Sequence, residues 1–144
     1  MKKLVITFLI ALMPIVINAE QSKTFGDYTV HYSAFTTDTL SPSIAKSYKI
    51  LRSKNRIMVN LSILKKQEGT FGKPVKTHIE GTATNLSQQL RELKFRPIME
   101  ENAIYYVADT LVNNEETLNF NFIITPEGED SSYTLTFQEK FFTE

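Results

Sequence analysis

Apolar and polar residues alternate with a period of two along most of this chain, most regularly near its C-terminal end. Leu118, Phe120, Phe122 and Ile124 stand two apart, so on a strand all four fall on one face. Asn119, Asn121 and Thr125 take the other face, with Ile123 the exception. Tyr133, Leu135 and Phe137 repeat the pattern after Pro126-Glu127-Gly128-Glu129-Asp130, which reads as a hairpin loop longer than a two-residue turn. An isolated hairpin is marginal in water, so a face of Phe and Leu needs a second sheet or a helix over it. Thr117–Phe142 is therefore the expected centre of the core, with the upstream chain as its cover.

Upstream, Glu20–Thr24 is polar and reads as a loose end. Tyr28, Val30, Tyr32 and Ala34 alternate with polar neighbours and predict a strand. Thr36–Ser53 fits neither the strand nor the helix period, but Ser41-Pro42 supplies a cap and a first-turn proline. One or two helical turns are expected there, with extended chain again from Tyr48. Arg56–Lys66 predicts a strand with Ile57, Val59, Leu61 and Ile63 inward and Met58, Asn60 and Ser62 outward. Gly69, Gly72 and Pro74 form a turn, Val75–Ala83 alternates again, and the two runs read as a second hairpin. Asn85–Leu93 supports a helical turn and an extended segment equally. Pro97 lacks a ladder donor and belongs on a sheet edge or at a bulge. Ala103–Ala108 is apolar on both faces, as in a strand within a sandwich or beneath a loop. The expected fold is an all-β, antiparallel two-sheet sandwich of about seven strands.

The first nineteen residues stand apart. Met1-Lys2-Lys3 is basic, Leu4–Ile17 is nearly continuous in apolar residues, and Ala19 is a small residue suited to cleavage before Glu20. The apolar run falls short of the roughly 20 residues that a bilayer-spanning helix needs, so 1–19 reads as a cleavable signal peptide. Residues 20–144 then form a single β-sandwich domain without a membrane span. The chain has no cysteine, which removes disulfides, thiolate metal sites and a lipid-modified N-terminal cysteine, and favours a bacterial envelope over an animal secretory route. The formal charge of the full chain is +0, and losing Lys2 and Lys3 tips the balance slightly acidic. Nucleic-acid binding, which calls for a basic face, is not expected.

Pro97-Ile98-Met99-Glu100-Glu101-Asn102-Ala103-Ile104-Tyr105-Tyr106, Leu118-Asn119-Phe120 and the terminal Phe137–Phe142 resemble a family of small exported proteins of Gram-negative bacteria, known as a domain of unknown function. The resemblance spans the mature chain. It implies an immunoglobulin-like sandwich in the periplasm and supplies no catalytic residues.

Candidate chemistry is sparse. The two histidines, His31 and His78, each lie on the polar side of a strand, and a metal site would require a facing strand to bring further ligands to them. The acidic pairs Glu100-Glu101, Glu115-Glu116 and Glu129-Asp130 all sit in turns, where hydration is their ordinary state. No Gly-x-Ser-x-Gly elbow or Walker spacing is present, and no catalytic residue, metal ligand or cofactor is assigned. The expected function is a periplasmic binding or protein-interaction module, monomeric, whose partner is another envelope protein. The binding candidates are Pro97, Tyr105 and Tyr106: an edge strand beside an exposed tyrosine offers both hydrogen bonds and apolar area. Tyr105 and Tyr106 are adjacent and must face opposite ways on a strand. Pro97 with Lys94 and Arg96 reads equally as protection against edge pairing. The alternatives are a metal-binding protein or hydrolase using His31, His78 and turn carboxylates, and a pilus or chaperone-type subunit.

Overall fold

A computed structural model describes residues 21–144; the signal segment expected at 1–19 lies outside them. The described chain is an antiparallel sandwich of two sheets. In order, the strands are β1 (Gln21–Phe25), β2 (Tyr28–Thr36), β3 (Arg56–Lys65), β4 (Lys73–Pro74), β5 (Thr77–Asn85), β6 (Leu90–Leu93), β7 (Arg96–Glu100), β8 (Ala103–Leu111), β9 (Glu116–Pro126) and β10 (Tyr133–Phe141). Six form one sheet in the order β1-β2-β3-β8-β7, with β4 beside β3; the other four run β10-β9-β5-β6. That is ten strands against about seven expected. The additions are short: β1 is polar because it is an edge, and β4 has two residues. The supposed loose end at Glu20–Thr24 is thus largely strand, paired with β2 from Gln21–Tyr32 to Phe25–Tyr28.

The C-terminal hairpin is the centre of the core. Its register sets Leu135 opposite Phe122 and Phe137 opposite Phe120. Leu118, Phe120, Phe122 and Ile124 are each at most 1 % exposed. Phe120 stacks on Phe137 with ring centroids 4.7 Å apart, and Phe137 reaches across the sandwich to Tyr32 at 4.6 Å. Ile57, Val59, Leu61 and Ile63 of β3 oppose them from the other sheet. Burying such side chains is worth roughly 1.5–3 kcal/mol each and, without disulfides, is the main source of stability.

The second predicted hairpin does not form. β2 covers one side of β3 along its length, β8 takes the other from Arg56 to Leu61, and only Leu64 and Lys65 are left for β4. With no side of β3 free, the chain leaves after Val75 donates to the Ile63 carbonyl at 3.1 Å. It crosses to the second sheet, where β5 lies between β9 and β6. Asn85–Leu93 resolves into a turn followed by strand β6.

The outward residues of β3 and β8 are not all wet. A 3₁₀ turn at Thr37–Thr39 and helix α1 (Pro42–Ser47) cross the outer face of the larger sheet. They bury Met58 and Val107 with Ile50, which explains why β8 is apolar on both faces. Ser41 caps α1 as expected, accepting from the Ile44 amide at 3.3 Å. Thr37, fully buried, donates to the Leu51 carbonyl at 2.7 Å and accepts from the Ser53 amide at 2.8 Å, tying the crossing segment down.

At one end of the smaller sheet a carboxylate closes the structure. Glu116 accepts from Arg91 at 2.5 Å, from the Asn85 side chain at 2.9 Å and from the Asn113 amide at 2.8 Å. Burial alone would raise its pKa, but these donors outweigh burial and hold the carboxyl at about 2. A depressed carboxylate stabilises the fold above its unfolded pKa and loses that contribution as pH falls through the folded value. Glu116→Gln should therefore cost about 1–3 kcal/mol at pH 7. In urea unfolding across pH, the gap to the native protein should close between pH 4.5 and about 2. Phe122→Ala should cost about 3–5 kcal/mol in the same assay, while Ile123→Ala, on the outer face of the same strand, should stay within about 0.5 kcal/mol.

Candidate functional site

β7 is the edge of the larger sheet, as Pro97 foretold, and it faces the smaller sheet across a cleft of about 790 Å³. Ile79, Phe95, Pro97, Met99 and Tyr106 give the cleft an apolar wall, and Thr125 with the Glu127–Glu129 loop forms a polar rim. Each member arrives for a physical reason. Phe95 lies in the two-residue passage between β6 and β7, where the chain returns from one sheet to the other, and it meets Phe122 edge-on at 5.2 Å. That approach needs Gly81: a Cβ there would stand 2.6 Å from the Phe122 ring and 2.7 Å from Phe95. Tyr106 points inward from β8, and its hydroxyl accepts the Thr77 amide at 2.8 Å, stitching β8 to β5 across the sandwich. On the rim, Tyr28 donates to Glu129 at 2.7 Å, and this bond, aided by desolvation, pushes the phenol up to about 12.

β7 is strapped from behind. Arg96 donates to the Tyr48 carbonyl and the Tyr48 hydroxyl to Glu100 at 2.7 Å, so the crossing segment grips the edge strand at two points. The ladder to β8 runs from Arg96 to Glu100 with Pro97 opposite Tyr106. Having no N–H, Pro97 leaves the outer side of this edge a donor short, which disfavours addition of another strand.

Of the three binding candidates, the structure brings Pro97 and Tyr106 into this cleft. Tyr105 faces the opposite side of the larger sheet, opposite Ile98, and is half-buried. Tyr106 is 7 % exposed, so it lines the cleft without protruding. The exposed side chain is Met99, at 58 %. Met99, Ile79 and Phe95 went unrecognised in the sequence because their meeting depends on pairing between distant strands. The one local signal was Gly81, a glycine inside an alternating strand, which marks a close approach.

The histidines do not meet. His31 stands on the outer face of the larger sheet, opposite Ser62, and His78 on the outer face of the smaller, opposite Thr125. A shared metal or hydrolytic site built on both is ruled out, because the two strands carry their inward residues between them. His78 instead meets Glu80 at 3.4 Å on an exposed surface. Among the described residues no three of His, Cys, Asp or Glu gather in a metal-binding arrangement. No helix among them is long and apolar enough to cross a membrane.

The family model for a domain of unknown function, DUF4426, matches residues 22–144. The chain belongs to the DUF4426 family. A crystal structure of a DUF4426 family protein from Pseudomonas aeruginosa PAO1 is 33 % identical, covers 88 % of this chain and 97 % of that one, and superposes with a TM-score of 0.76. FetP from uropathogenic Escherichia coli strain F11, expressed in the periplasm for its crystal structure, shares the fold at 12 % identity and a TM-score of 0.59, covering 85 % of this chain and 93 % of that one. A copper-bound variant of FetP matches at the same identity and TM-score, covering 85 % of this chain and 95 % of that one. No curated protein matches the chain.

Two substitutions test the geometry of this DUF4426 cleft. Gly81→Ala should destabilise the fold by about 1–3 kcal/mol through overpacking against two rings. Tyr106→Phe should cost about 1–3 kcal/mol by orphaning the Thr77 amide, which hydrogen exchange would show as lost protection at that residue.

Proposed function

We propose that this DUF4426 protein is an exported, periplasmic binding module, and that its partner, another envelope protein, places an apolar side chain in the cleft between β7 and the smaller sheet. The carrying observation is the cleft itself: an apolar wall beside the exposed Met99, under a polar rim, with room of about 790 Å³. Pro97 and Tyr106 belong to this site, and Tyr105, on the opposite face, does not. The leader-like sequence of residues 1–19 and the periplasmic expression of FetP support the location. Pro97 favours entry of a side chain over addition of a strand.

The other readings have less behind them. A pilus-type subunit would need a core left open for a donor strand, whereas Leu118, Phe120, Phe122 and Ile124 are closed over by both sheets. Copper is bound by a FetP variant, but here His78 pairs with an exposed Glu80, and among the described residues no third ligand gathers with them in the way that a tight site needs.

A photo-reactive amino acid placed at Met99 should cross-link a discrete envelope protein in living cells, and the same residue at Thr136, on the outer face of the smaller sheet, should not. Met99→Glu should abolish capture of that protein while leaving thermal unfolding unchanged, since the side chain is mostly in water. Equal adducts from both positions, or capture that survives Met99→Glu, would sink the cleft as the binding site.

A further inference from the structure

The loop between β3 and β4 holds out the barest apolar side chain of the fold. Phe71 is fully exposed, whereas no other exposed large apolar side chain among the described residues shows more than 69 % of its surface. It joins neither apolar cluster. This exposure is built in. Thr70 donates to the Gln67 carbonyl through its amide at 3.3 Å and its hydroxyl at 3.0 Å, and that hydroxyl accepts from the Gly72 amide at 3.1 Å. Gly69 and Gly72 supply the positive φ angles, 75° and 121°, that the turn requires. A Cβ at Gly72 would stand 2.9 Å from that of Leu64, so the loop is packed against the end of β3 with the Phe71 ring on its crest.

The ring has basic surroundings. Lys65 and Lys73 stand opposite each other in the β3–β4 ladder, and Lys66 follows Lys65. All three are exposed, and among the described residues none of them forms an ion pair. Like charges directly across a ladder destabilise it, so this corner of the sheet is less stable in water than it would be against an anion. Between Phe71 and the β1–β2 turn lies a hollow of about 130 Å³, walled by Thr24, Thr29, Lys65 and Lys66, with Asp27 at its border. Glu68 is the one acid within Lys65–Lys76, against four lysines. The acids of the β9–β10 loop belong to the smaller sheet, where Tyr28 holds Glu129.

We propose that this loop docks on a phospholipid bilayer with an anionic surface: Phe71 enters the headgroup region, and Lys65, Lys66 and Lys73 lie against lipid phosphates. Taking the ring out of water supplies a short-range attraction, and the lysines supply one that acts over the Debye length. Lipid phosphates also relieve the repulsion between Lys65 and Lys73. The lysines decide between a bilayer and an apolar protein pocket, because unpaired cations around a protruding ring match a plane of phosphates. With one ring and three lysines the attachment is peripheral and reversible, and it weakens as salt rises. It is separate from the cleft at β7 and does not depend on what that cleft binds.

The test uses residues 20–144, since the apolar run at Leu4–Ile17 would bind vesicles by itself. The chain has no tryptophan, so in Phe71→Trp the indole emission reports on position 71 alone. Vesicles of phosphatidylcholine mixed with phosphatidylglycerol should shift that emission to the blue and shield it from an aqueous quencher. Vesicles of phosphatidylcholine alone should do so far less, and high salt should reverse the shift. In co-sedimentation with the mixed vesicles, Phe71→Ser should bind severalfold less than the native chain while unfolding at the same temperature, since the side chain it replaces is in water. Lys66→Glu with Lys73→Glu should abolish the preference for the anionic vesicles. Emission unchanged by vesicles, or sedimentation indifferent to Phe71→Ser, would overturn the proposal. In cells, a photo-reactive residue at position 71 should yield lipid adducts; a discrete protein adduct in their place would make the loop a protein contact and overturn it as well.

Discussion

A strand has two sides, and β3 has both of them taken. β2 holds one, and β8 with β4 divides the other. The two-layer arrangement follows from this saturation. The chain that leaves β4 cannot continue beside β3, so it crosses to the face of the C-terminal hairpin, pairs with β9, and returns through Phe95 to the far edge of the larger sheet. Both crossings lie on the same side of the molecule, and the cleft lined by Phe95, Pro97 and Tyr106 is the space between them. The aromatic row of Phe120, Phe122 and Phe137 then fills the interior that the crossings enclose.

The parts of this fold that could be read in advance are those governed by local periodicity. β9 and β10, the inward row of β3, the edge position of Pro97 and the serine cap of α1 are all written in spacings of two to four residues. What could not be read is pairing. Arg56–Lys65 and Thr77–Asn85 look like a hairpin by sequence because they are adjacent, amphipathic and joined by glycines. Only the competing claim of β8, more than forty residues downstream, separates them. The same holds for Met58, whose outward position was evident but whose burial depends on a segment with no clear period.

The candidate site shows the same division. Parity along β8 was enough to say that Tyr105 and Tyr106 face opposite ways, and the register with Pro97 decides which of them enters the cleft. The acidic loop at Glu127–Glu129 was legible as a turn, but its bond to Tyr28 spans 101 residues of sequence.

The saturation of β3 also orders events in time. As the chain emerges from its N-terminal end, β1, β2 and β3 can assemble as a meander, β1 with β2 through a tight turn and β2 with β3 around the crossing segment that carries α1. One side of β3 then stays open, its N–H and C=O groups unpaired until β8 arrives, and Ile57, Val59 and Leu61 stay uncovered until the smaller sheet closes over them. β5 waits in the same way for β9. Long-range pairings of this kind close late and slowly, because the intervening loop entropy must be overcome first. The half-made molecule is thus a three-stranded sheet with an apolar face and a free edge, the form most open to pairing with a second copy of itself.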